Sequence, residues 1–127
     1  VRPGQLSTRL QPLPRRLVAG RVVPVAVGRR ARLLGLAYLP REQAGAGLLI
    51  PRCSSVHTFG MRFGLDLVFF DGAGRRLGER KRVPPRRLVW CRGAAAVLEV
   101  PAAEDGPAPA TPNGAGPPTL PPSRFAA

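Results

Sequence analysis

Up to about Ala103, apolar and polar residues mostly alternate with a period of two, and the period lengthens once. Val23, Val25 and Val27 alternate, Pro24 suits an edge strand, and Gly28 closes the run, so a first strand is expected there. From Arg29 to Tyr38 the spacing becomes helical: Leu33, Leu36 and Ala37 share one face, with Leu34 and Tyr38 beside it, before Pro40. Gly35 weakens that short helix by about 1 kcal/mol relative to Ala, so packing must hold it. After the turn-rich Ala44–Gly47, Leu48, Leu49 and Ile50 read as a buried strand that Pro51 ends. Met61, Phe63, Leu65, Leu67 and Phe69 then mark one face of a longer strand reaching Asp71. Val68 and Phe70 make its far end apolar on both faces, which places it centrally in a sheet. Asp71-Gly72-Ala73-Gly74 supplies hairpin chemistry, with a return strand over Arg75–Val83. Beyond Pro84 and Pro85, Leu88–Trp90 and Ala96–Val100 read as two further strands around Gly93. The pattern predicts a mainly β fold, a small sandwich or partly open barrel with one short helix.

The same pattern divides the chain into a poorly ordered N-terminal extension over residues 1–19, a β-rich domain over 20–103 and a disordered tail over 104–127. Seven of the 16 prolines fall in that tail, where Leu120 and Phe125 are the only large apolar side chains, too few to offset the entropy of ordering. A core drawn from the remainder is small, so single core changes should register strongly.

Charge changes the picture more than size does. The net charge is +13, and Lys81 is the only lysine among 20 basic residues. Arg124 against Glu104 and Asp105 leaves the tail slightly negative, so the positive field belongs to the domain. Such a field attracts polyanions or acidic protein surfaces, although an arginine-rich chain also abundant in Ala, Gly and Pro follows from a GC-rich coding sequence. No run approaches the roughly 18 apolar residues of a membrane span. The prolines at 3, 12 and 14 interrupt any leader-like apolar segment, so a cytoplasmic location is the default expectation. Cys53 and Cys91 are too few for a disulfide framework and are expected as thiols.

Few residues carry chemistry. Cys53, Ser54, Ser55, His57 and Asp66 include the ingredients of a Cys–His or Ser–His hydrolase, but an extended segment holds Cys53 and His57 about 13 Å apart. Cys53, His57, Cys91 and Asp66 lack metal-ligand spacing, and no cofactor is implied. Arg80, Lys81, Arg82, Arg86 and Arg87, with Trp90 to stack on a base, form a candidate anion-binding surface; the plainer alternative is an edge strand protected by charge. Asp66 and Glu99 each interrupt an apolar strand. A half-buried Asp66 is expected to pair with an arginine such as Arg62, and both acids serve either in structural ion pairs or as anchors of a binding cleft.

Three stretches resemble a bacterial family, domain-of-unknown-function family 192. RLLGLAYL at Arg32–Leu39 looks like its short helix, GLDLVFFDGAGR at Gly64–Arg75 resembles its PLDxxFLDxxGR hairpin, and AAVLEVPA at Ala95–Ala102 is similar to its xxVLELPAG strand. The resemblance covers roughly residues 20–103, implies a mainly β fold, and matches Asp66 and Glu99 to the family's recurrent acids. It implies no reaction. Where relatives carry FWMKNT this chain has VHTFGM at Val56–Met61, so His57 and Arg62 would have to stand in for the residues lost. The family's closing strand is also replaced by the tail, which leaves an edge open. The expectation is a noncatalytic binding or accessory module with His57, Arg62, Asp66 and Glu99 lining a ligand recess. A basic nucleic-acid-associated protein and a small hydrolase are the alternatives, and oligomeric state stays open.

Overall fold

The computed structural model describes residues 5–103. In chain order its elements are strands β1 (Arg15–Val18) and β2 (Arg21–Pro24), helix α1 (Arg29–Leu34), a 3-10 turn at Arg41–Gln43, and strands β3 (Leu48–Pro51), β4 (Ser55–His57), β5 (Leu65–Phe70), β6 (Arg76–Val83), β7 (Leu88–Trp90) and β8 (Ala96–Pro101). The fold is mainly β with one short helix and several sheets that do not close into a barrel. The expected tail, residues 104–127, lies outside the described residues.

A four-stranded antiparallel sheet in the order β3-β8-β5-β6 is the centre. Its register sorts the side chains. Leu48 and Leu67 both lie opposite Glu99, and Ile50 and Phe69 opposite Val97, so these six share one face. Leu49 and Val68 flank Leu98 on the other. The first face is covered by Leu36, Ala37 and Leu39 after α1, by Met61, and by Val56 and Val89 of the two-stranded sheet β4-β7. The second is covered by the β1-β2 hairpin, whose Val23 packs on Leu49, Val68 and Leu98. Burial on both sides of β5 follows from its apolar run; each such side chain contributes about 1.5–3 kcal/mol. The Asp71 hairpin forms as its sequence requires. The Asp71 carboxylate accepts the N–H groups of Ala73 and Arg75 at 2.9 and 2.8 Å, and Gly74 takes a positive φ of 83°. Those backbone bonds hold the Asp71 carboxyl below its usual range.

Four expectations need correction. The first strand does not run through Val27: β2 stops at Pro24, Val25 makes only an isolated parallel bridge to Leu49, and Val27 is half exposed. The segment before residue 20 is packed, since Leu10 lies in the main core and β1 pairs with β2 across Ala19-Gly20, two positive-φ residues that fit a tight turn. Polar spacing and prolines hide both features. The helix ends at Leu34 rather than Tyr38, and Leu33 is exposed while Leu36 and Ala37 are buried beyond its end. The long strand begins at Leu65, with Met61 and Phe63 in the preceding loop.

Candidate ligand recess at Glu99

Glu99 is set in the middle of an apolar sheet face by strand alternation alone, since Val97 and Glu99 must point the same way. It is 3% exposed. One carboxyl oxygen, Oε1, accepts the Leu36 N–H at 3.2 Å. The chain reaches it by turning sharply at Gly35, whose φ of 54° and ψ of −128° suit glycine. A Cβ at Gly35 would stand 2.7 Å from Oε1, so the helix ends because the backbone must approach this carboxyl. Burial pushes the Glu99 carboxyl up from the ordinary 4.5 to about 7, opposed by the Leu36 hydrogen bond.

Glu99 opens onto a recess of about 160 Å³ between α1, β3 and β4. Arg32, Cys53, Ser55 and His57 provide its polar lining, and Leu33, Leu34, Ile50 and Val56 its apolar lining. Two polar atoms here are buried without a partner, His57 Nδ1 and Arg32 Nε. The Arg32 guanidinium is steered by donation from its Nη2 to the Arg52 carbonyl at 2.7 Å. His57 is placed by the pairing of β4 with β7, where it lies opposite Leu88, and its ring lies 5.8 Å from that of Phe59. Cys53 donates its thiol to the Ser55 carbonyl at 2.8 Å. Both cysteines are thiols.

Of the four residues expected to line one recess, His57 and Glu99 come together and the other two do not. Asp66 lies opposite Val100, hence on the sheet face away from Glu99. Its carboxylate accepts the Arg82 backbone N–H at 2.9 Å and faces Lys81 Nζ at 3.4 Å, so Lys81, and not Arg62, is its partner. Arg62 lines a different recess with Arg41 and Arg82. Sequence reasoning missed Arg32, which it had placed on the helix without a role. The one signal was its position: Arg32 is the only charged residue in the final turn of α1, and the structure sets it in the lining of the Glu99 recess.

The expected anion surface also divides. Lys81 is held by Asp66 and Glu79, Arg82 turns to the Arg62 recess, and Arg86 and Arg87 sit in a turn fastened by Thr58. The buried Thr58 hydroxyl donates to the Pro84 carbonyl at 2.7 Å and accepts the Arg87 N–H at 2.8 Å, while its own N–H donates to the Arg87 carbonyl. Arg80 is exposed on β6, and Trp90 is exposed on β7 opposite Ser55. Among the described residues, no group of three or more His, Cys, Asp or Glu is placed to share a metal ion. No helix among them is long and apolar enough to cross a membrane.

Comparison with known proteins adds a family and a fold. A Sinorhizobium meliloti protein carrying the description "putative transcription regulator" superposes with a TM-score of 0.56 at 24% identity, over 69% of this chain and 78% of that one. A Novosphingobium aromaticivorans protein of unknown function superposes with a TM-score of 0.52 at 16% identity, over 76% of this chain and 86% of that one. At these identities the likeness concerns the fold. No curated protein matches. The profile of DUF192, described as uncharacterised ACR, matches residues 18–104, a span that contains β2, α1 and every strand from β3 to β8. The chain is therefore a member of the DUF192 family.

Proposed function

We propose that this domain is a noncatalytic binding module and that its ligand enters the recess at Glu99. One observation carries the reading: a carboxyl poised near neutrality shares a small recess with two buried polar atoms that have no partner, His57 Nδ1 and Arg32 Nε. A buried polar atom left unpaired costs about 1–3 kcal/mol, and a ligand with complementary groups recovers that free energy. Arg32 Nε–H calls for an acceptor, and the Glu99 carboxylate for a donor. A small carboxamide, free or at the end of a side chain, offers both on one planar group and suits the size of the recess. The apolar lining from Leu34, Ile50 and Val56 fits its short hydrocarbon stem.

Binding is favoured over nucleophilic catalysis by the hydrogen bonding of Cys53. Its thiol is directed at Ser55 O, and His57 Nδ1 accepts from neither Cys53 nor Ser55, so the nucleophile–base contact that activates such enzymes is not made.

The test is a nuclear magnetic resonance titration with propionamide, with butyrate as the anionic control. The reading predicts saturable shifts of the Leu36 amide and the His57 ring with millimolar propionamide, abolished by Arg32→Gln and by Glu99→Ala. Unchanged signals at Leu36 and His57 would refute it.

A further inference from the structure

A second recess, about 640 Å³, shares no lining residue with the one at Glu99. Three arginines from separate parts of the chain meet there: Arg41 from the 3-10 turn, Arg62 from the loop before β5, and Arg82 from β6. Among the described residues no acidic side chain lines it, and Phe63, Pro84 and Pro85 supply apolar walls. Among the described residues, the Arg62 and Arg82 guanidiniums make no ion pair and no hydrogen bond. Converging cations repel one another, and an anion seated between them removes the repulsion.

Arg82 is brought to this recess by a specific device. The register of β5 on β6 slips between Leu65 and Leu67, and at that irregularity Arg82 adopts a φ of 53°. A left-handed conformation is uncommon for arginine and marks local strain, and bulges of this kind re-aim side chains beside functional sites. The Asp66 carboxylate holds the distorted backbone through the Arg82 N–H. Asp66, which interrupts an apolar strand in the sequence, is thus a positioning residue for Arg82.

We infer that this recess binds a small organic phosphate whose phosphoryl group lies between Arg62 and Arg82 and whose body packs on Phe63 and the Pro84-Pro85 wall. The planar fork of arginine matches two phosphate oxygens at once. The recess volume falls in the range of about 300–1,000 Å³ that small-molecule sites occupy, well beyond what inorganic phosphate alone would fill. The apolar walls therefore select for a body attached to the phosphate, and a mononucleotide is of fitting size. This inference does not depend on the Glu99 recess.

Isothermal titration calorimetry on the full chain, in which the acids Glu104 and Asp105 directly follow Ala103 in sequence, tests it with AMP, adenosine and inorganic phosphate as probes. AMP is expected to bind at least about tenfold more tightly than either fragment. Arg62→Gln and Arg82→Gln are each expected to weaken AMP about tenfold, the usual effect of losing one charge-assisted contact. Both side chains are exposed, so thermal denaturation should show an intact fold. Arg76→Gln, on the same strand outside the recess, should leave AMP affinity unchanged. The inference is overturned if adenosine or inorganic phosphate binds as tightly as AMP, or if Arg76→Gln weakens AMP as much as Arg62→Gln does.

Discussion

The two faces of the central sheet treat an acid in opposite ways. Asp66 on β5 and Glu99 on β8 stand one register step apart on neighbouring strands, since Asp66 lies opposite Val100 and Leu67 opposite Glu99. Asp66 meets a lysine and a backbone N–H at a bulged edge. Glu99 meets leucines and a single N–H in the middle of the core. The Asp66 carboxyl has its hydrogen-bonding capacity met by nearby donors, whereas the enclosed Glu99 carboxyl is stabilised by keeping its proton. The difference teaches that alternation along a strand fixes the environment of an acid before any partner does. It also explains why the domain tolerates an acid in its core: Glu99 keeps its proton up to about pH 7, and its recess gives it an outlet.

The strongest blow to this contrast is Gly35→Ala. It adds a Cβ against Glu99 Oε1 in a backbone conformation that other residues avoid, and should destabilise the fold by about 4 kcal/mol in a urea titration. Next is Glu99→Gln, whose sign depends on pH. Below about pH 4.5 the carboxyl is protonated in both the folded and unfolded chain and contributes nothing. Between 4.5 and 7 the unfolded chain has released the proton and the folded one has not, so stability falls as pH rises, and above 7 the loss is complete. A shift of this size corresponds to roughly 3 kcal/mol. Glu99→Gln keeps an acceptor for Leu36 N–H, so it should raise stability by up to that amount at pH 8, do nothing at pH 4, and flatten the profile between. On the other face, Asp66→Ala leaves the Arg82 N–H without its acceptor and should cost about 1–2 kcal/mol by thermal unfolding. The smallest effect belongs to Lys81→Ala. Its ammonium is largely exposed, and its bridges to Asp66 and Glu79 should be worth under about 1 kcal/mol, measured by the same method and declining with added salt.

Much of the sheet was legible because its signals are local. The apolar run Leu65–Phe70, the Asp71 hairpin and the strand around Glu99 each follow from period and turn chemistry in a few residues. The helix end was not, because Gly35 answers to a carboxyl 64 positions away in sequence, and no local pattern announces such an approach. β1 and β4 were missed for another reason: Arg15–Val18 and Ser55–His57 are short and mostly polar, and their strand character comes from pairing with β2 and β7. The site was half legible. His57 and Glu99 could be picked out as an unusual imidazole and an acid in an apolar strand. Separating Asp66 from Glu99 required the register, because which residues lie opposite each other decides which face each acid takes.

The most direct test of this account is the titration of the Glu99 carboxyl itself, followed by carbon-13 magnetic resonance on glutamate-labelled protein. A midpoint near 7 is expected, with the Leu36 amide shifting in the same transition. A midpoint in the ordinary carboxylate range near 4.5 would contradict it, because Glu99 would then be solvated rather than enclosed.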